Sequence, residues 1–217
     1  MANEWMQELK GGENRMVKEI MEISSPKIYL DSNPEVMRQV VSVVKDSFQR
    51  ELNYDDIYLH ATSPDTLYLL MEEGNVIGMA SYNRTRLSTS PALIVEGISL
   101  AQEVQGYGMF SEITDRAING ESIICLRTQS PRMYRALEKY CSDIFPGAKQ
   151  MSETIRDIRD DLATHLECQC DKDGIVNGFY GGLFYGEEPK HKEASEFFSR
   201  LGIDLTKGDA LLCVGVR

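Results

Sequence analysis

The chain predicts an α+β fold, a mixed and largely antiparallel central sheet flanked by helices. Apolar β-rich runs alternate with helical stripes along most of its 217 residues. Two of those runs, residues 66–71 and 76–82, flank Glu72-Glu-Gly-Asn75 and so read as an antiparallel hairpin. Further on, the apolar run 93–100 gives way to a two-glycine loop and a helical stripe, a crossover that makes the sheet locally parallel.

Residues 1–24 read as a loose or partly helical arm, because Gly11-Gly12 interrupts the pattern and the apolar residues there are sparse. Residues 25–217 then form a single domain, with a C-terminal elaboration from about residue 150. Residues 27–30 are a short strand candidate. Asn33-Pro34 announces a helix whose buried face is Val36, Met37, Val40, Val41, Val44 and Phe48. After the hairpin comes a polar loop over 83–90, a strand over 92–100, and a helix over 109–118 carrying Met109, Ile113, Ala117 and Ile118.

Residues 122–127 form the next strand, and Pro131 opens a helix striped by Met133, Ala136, Leu137 and Tyr140. Ser152 caps a charged helix with Ile155, Ile158, Leu162 and Leu166 inward. Residues 174–180 and 209–216 read as strands bracketing a helix over 193–201.

Composition narrows the function classes. With 42% hydrophobic and 26% charged residues the chain is an ordinary globular one. A formal net charge of −11 argues against a broad phosphate-binding surface, so nucleic acid is not an expected partner. No apolar run approaches the ~20 residues that span a bilayer, and the first 24 residues lack a signal-peptide core. A cytoplasmic protein with no membrane partner is expected; a homodimer is compatible with the sequence. Five cysteines make a poor disulfide framework, and His165-x-x-Cys168-x-Cys170 lacks a second pair of ligands, so no metal site is expected.

Chemistry concentrates in the glycine loop. Gly106 and Gly108 can take positive φ, and the free N–H groups of the helix that follows attract an anion. A dinucleotide fingerprint would need a third glycine where Ser111 stands, and a triphosphate loop would need a Gly-Lys-Ser/Thr end that the chain lacks.

The segment Gly97-Ile-Ser-Leu-Ala-Gln-Glu-Val-Gln-Gly-Tyr-Gly108, in this order of elements, resembles the coenzyme motif of the GNAT superfamily of acetyl-coenzyme A-dependent N-acetyltransferases, especially its histone-modifying branch. The likeness covers about residues 27–146. It implies acetyl-coenzyme A as co-substrate and direct transfer to an amine of a small molecule or a protein amino group. It also implies that the main chain of Val104, Gln105, Gly106, Tyr107, Gly108 and Met109 binds the pyrophosphate, while Ile98, Ser99 and Leu100 receive the thioester arm. The family places Gln or Arg three residues before the first loop glycine; here Glu103 stands there beside Gln102.

For catalysis, Glu96 on a regular strand would share a face with Ile94 and Ile98, an apolar setting suited to a general base. The family's acidic tyrosine maps to Leu137, with Tyr134 and Tyr140 one turn either side as its candidate substitutes. Tyr180, Phe184 and Tyr185 could line an acceptor cleft. Cys125 and Cys141, with no histidine near in sequence, carry no nucleophilic role. The alternative is a coenzyme-binding or regulatory module that keeps this fold without turnover.

Overall fold

In the computed structural model, residues 19–217 are described. Eight strands form one sheet in the order β1-β2-β3-β4-β5-β8-β6, with β7 paired to β8. They are β1 (Glu19–Ile23), β2 (Thr66–Glu72), β3 (Asn75–Leu87), β4 (Ser90–Leu100), β5 (Ile123–Thr128), β6 (Asp143–Phe145), β7 (Ile175–Val176) and β8 (Ala210–Val216). Only β4 and β5 run parallel, joined by the crossover helix α4 (Met109–Ala117); every other pairing is antiparallel. The expected α+β architecture is therefore present.

Alternation along the strands builds two apolar faces. On β2, Tyr68 and Leu70 enter a core covered by α4, α5 (Pro131–Tyr140) and α7 (Ala194–Leu201). Leu67 and Leu69 face the other way, onto α1 (Pro26–Ser32), α2 (Pro34–Phe48) and α3 (Tyr54–Thr62). On that same face α6 (Glu153–His165) covers Ala92 and Ile94 of β4, Cys125 of β5 and Leu212 of β8. The Ser152 side chain caps α6 by accepting from the Ile155 N–H at 3.3 Å.

Several elements differ from the sequence reading. Residues 19–23, expected in the arm, form β1 against β2; residues 1–18 of that arm lie outside the described residues. Residues 27–30 are helical rather than extended, because proline suits the first helical turn and Pro26 and Leu30, one turn apart, bury together. The expected loop 83–90 is strand: β3 continues to Leu87, itself buried, and Ser88-Thr89 makes a two-residue turn with φ of 44° and 72°. The expected strand 174–180 shortens to Ile175–Val176, since Gly178 takes φ of 63° and leaves the ladder. Helix α3, capped by Asn53 accepting from the Asp55 N–H at 2.8 Å, and the three-residue β6 were not anticipated.

Candidate active site

β4 and β5 pair only from Ala92–Ile123 to Val95–Leu126. Beyond that point the two strands separate, and β4 continues to Leu100 with one edge of its backbone uncovered by β5. The separation begins at a bulge: Tyr82 pairs with Val95 and Ser81 with Gly97, so Glu96 is an extra residue in the ladder. The extra residue reverses the alternation. Leu93 and Val95 lie in the α4/α5 core, and so does the packing of Ile98 and Leu100, which a regular strand would have sent to the opposite face. Glu96 keeps the side of Ile94, toward α6, so the expected shared face with Ile98 does not form. The Leu100 N–H points away from β3, toward Ser47 Oγ at 3.3 Å. By two-residue periodicity the Ile98 N–H points the same way, into the gap, where it can receive a carbonyl oxygen.

On the α4/α5 side of the gap lies a groove of 620 Å³. Gly106 and Gly108 adopt φ of 86° and 82°. Among the described residues, no acceptor engages the N–H groups of residues 106–110, which turn a ring of donors outward at the start of α4. Of the residues expected here, Ile98, Leu100, Gln105, Gly106, Gly108 and Met109 line the groove. Val104 packs into the core at 3% exposure, and the Tyr107 side chain is 58% exposed. Gln105 Nε2 donates to the Leu100 carbonyl at 2.9 Å, tying the loop to the end of β4. Gln102 and Gln105 line the groove while Glu103 does not, so the departure at Glu103 falls beside the groove. Arg132, Arg135, Lys139 and Lys190 also line it beside Glu187 and Glu188, an excess of cations on an acidic protein, although Arg135 is paired with Glu138 and Glu193.

Across the gap lies a cavity of 480 Å³, walled by α2, α3, the open ends of β4 and β5, and the loop after β7. Its walls are mostly apolar and aromatic, including the expected Tyr180, Phe184 and Tyr185. Glu96 and Arg127 stand on adjacent strands, and Ser99 also lines this side. Glu96 Oε1 accepts from Asn83 Nδ2 at 2.8 Å, with His165 Nε2 at 3.8 Å. Among the described residues no donor reaches Oε2. Asn83 and Arg127 carry no signal of their own in the sequence, and His165 stands out there only in the His165-x-x-Cys168-x-Cys170 run; each becomes local to Glu96 only through the sheet and the end of α6.

Neither expected tyrosine lines the groove or the cavity. Tyr134 is 3% exposed, stacks on Phe197 and donates to the Pro146 carbonyl at 3.0 Å. Tyr140 donates to Asp115 Oδ1 at 2.5 Å and meets Phe110 edge-on. Tyr185 instead lines both spaces, packed against Phe48 with ring centroids 4.9 Å apart. Burial pushes its phenol well above the usual value, partly offset by a hydrogen bond with Ser130, so it holds its proton at neutral pH.

The loop carrying Tyr180, Phe184 and Tyr185 is fastened from behind. Gln129, at 1% exposure, accepts from the Phe184 N–H at 2.7 Å and donates to the carbonyls of Leu205 at 3.0 Å and Gly182 at 3.2 Å. Gly186 donates to the Phe48 carbonyl at 2.8 Å, and a Cβ there would stand 1.9 Å from the Gln49 carbonyl oxygen. Burial pushes the thiols of Cys125 and Cys213 far up, so both are inert apolar groups. No group of ligands able to hold a metal occurs among the described residues.

No protein-family model matches the chain, and no curated protein matches it. Among solved structures it is similar in fold to a diaminobutyrate acetyltransferase from Paenibacillus lautus, with 14% identity over 91% of this chain and 95% of that one and a TM-score of 0.44. It is likewise similar to an IAA acetyltransferase from Bacillus cereus, with 16% identity over 92% of this chain and all of that one and a TM-score of 0.48. A third is GphF, a GNAT-like decarboxylase in complex with isobutyryl-CoA, at 14% identity over 91% and 98% and a TM-score of 0.43. At these levels of likeness, function is argued from the site's own residues.

Proposed function

We propose that the chain is an acyl-coenzyme A-dependent N-acyltransferase that passes an acetyl group from acetyl-coenzyme A directly to an amine. The observation that carries this reading is the opening between β4 and β5, with a phosphate-seeking loop on one side and a carboxylate-bearing cavity on the other. The N–H groups of residues 106–110 suit the pyrophosphate, and the excess of cations along the groove suits the remaining phosphate. The uncovered edge of β4 leads the thioester arm to the gap, where the Ile98 N–H polarises the carbonyl.

The amine enters from the cavity. Glu96 takes a proton from the ammonium form, directly or through one water, and the neutral nitrogen attacks the thioester carbon. A C–N bond forms and the C–S bond breaks. Glu96 passes the first proton to solvent and takes the nitrogen's second, while the departing thiolate takes one from the Tyr185 phenol, which borders both spaces and regains its proton from solvent. The products are an amide and free coenzyme A. Tyr185 thus has the role expected of Tyr134 or Tyr140, supplied by the loop after β7.

Titrating acetyl-coenzyme A into the protein should give saturable heat, and adding an amine should release thiol. No binding at millimolar coenzyme would sink the proposal. Tight binding without thiol release from any of a broad amine panel would favour the non-catalytic module.

A further inference from the structure

We propose that the acceptor is an amino acid with an apolar side chain, and that Arg127 anchors its carboxylate while Glu96 receives its amine. This rests on the acyl-transfer reading and names its substrate class. Arg127 is the one lysine or arginine among the residues lining the acceptor cavity. No carboxylate pairs with it among the described residues. Its guanidinium carbon sits over the Phe179 ring, 3.6 Å from the centroid, and the group hydrogen-bonds the Tyr180 hydroxyl. Nη1 donates a long hydrogen bond to the Leu166 carbonyl at 3.4 Å, and Nε is buried with no partner. A planar cation held over an aromatic ring, its charge matched by no carboxylate among the described residues, is a receptor for a planar anion. The side chain is half-buried, and a ligand carboxylate would supply the opposite charge it lacks.

Position points the same way. Val95 pairs with Leu126, so Glu96 and Arg127 are the next residues on neighbouring parallel strands. Side chains alternate, so both follow Ile94 and Cys125 to the same face. They form no ion pair with each other: the splay begins between them. Strands in a ladder lie about 5 Å apart, and a splayed pair lies wider. An α-amino acid, with its nitrogen and carboxylate on one carbon, bridges such a gap between opposite charges. Phe48, Phe179 and Phe184 then wall the space left for its side chain.

The test uses matched pairs in a thiol-release assay with the intact chain: L-phenylalanine against phenethylamine, and L-leucine against isoamylamine, each differing by the carboxylate. Expected is a kcat/KM at least tenfold higher for the amino acids, consistent with a charge-assisted pair. Arg127→Met should raise KM for L-phenylalanine about a hundredfold, leave phenethylamine within a factor of three, and leave coenzyme affinity unchanged. Equal use of both members of a pair, or an equal loss on both in R127M, overturns the anchor while acyl transfer stands. L-phenylalanine titrated calorimetrically into the protein saturated with coenzyme A reads the anchor without turnover. Heat lost in R127M supports it even if no thiol is released, whereas no heat with the unaltered protein overturns it.

Discussion

Replacing Gln129 by leucine keeps much of the side-chain volume and removes every hydrogen bond that Gln129 makes behind the aromatic loop. Three bonds are lost at 2.7, 3.0 and 3.2 Å, together with a longer one at 3.4 Å to the Asp209 carbonyl. At about 1 kcal/mol net for each of the three shorter bonds, the cost is about 3 kcal/mol. The Phe184 N–H has no other acceptor among the described residues, so leaving it buried would push the figure upward. Urea unfolding, read as the midpoint multiplied by the slope, should report that loss if the loop stays in place. If the loop instead lifts to solvate its backbone, less stability is lost and Tyr180, Phe184 and Tyr185 leave the cavity wall. The acetyl-coenzyme A and acceptor KM values should then rise at least tenfold. A variant within about 0.5 kcal/mol of the parent, with both KM values unchanged, would refute the reasoning.

Gly106 holds φ of 86° with open space around a would-be Cβ, so Gly106→Val meets no protein clash at Cβ and acts by straining the backbone and by placing methyl groups at the groove it lines. Coenzyme affinity should fall at least tenfold by calorimetry and recover in Gly106→Asn, which tolerates that conformation; unchanged affinity in Gly106→Val removes the loop from the site. Glu96→Gln should lower kcat by about 10²-fold or more with coenzyme binding intact, the usual contribution of a positioned base. Tyr185→Phe keeps the ring against Phe48 but loses the proton, so kcat should drop while the acetyl-coenzyme A KM stays within threefold; an unchanged kcat excludes proton donation. Burial pushes the Cys141 thiol from 9.0 to about 11. The folded state thus keeps this proton longer than the unfolded chain, and the thiol's contribution to stability is whole below pH 9 and lost as pH rises toward about 11. Alkylation of the native protein should show its midpoint near the higher value, and Cys141→Ala should flatten the stability profile across that window.

Local rules recovered the elements whose signals are local. The hairpin turn at Glu73-Gly74, the proline at the head of α5 and the Ser152 cap each act within a few residues of themselves. So does the glycine loop, whose donors follow from two positive φ values and a helix start. Residues 83–87 misled because polar composition suggested a loop, whereas the ladder to β4 holds them extended. Glu96 could be named from sequence but its face could not, since a bulge is fixed by the partner strand. Arg127, Asn83, His165 and Tyr185 come together across separations that only the sheet and the docked loop close. The tyrosine that borders both spaces, and that is proposed as proton donor, lies on a loop far along the chain, which no spacing within α5 encodes.

The extra residue at position 96 divides β4 into two phases. Up to Val95 the strand keeps time with the core, and from Ile98 it keeps time with the opening. Shortening the chain by one residue here would therefore not trim a loop. It would remove the bulge and the Glu96 carboxylate together, leaving Ile98 opposite Ala80 and Leu100 opposite Gly78 on a regular strand with no irregularity to part it from β5. Such a strand can accept substitutions one at a time, but its length is as much a part of the site as any side chain.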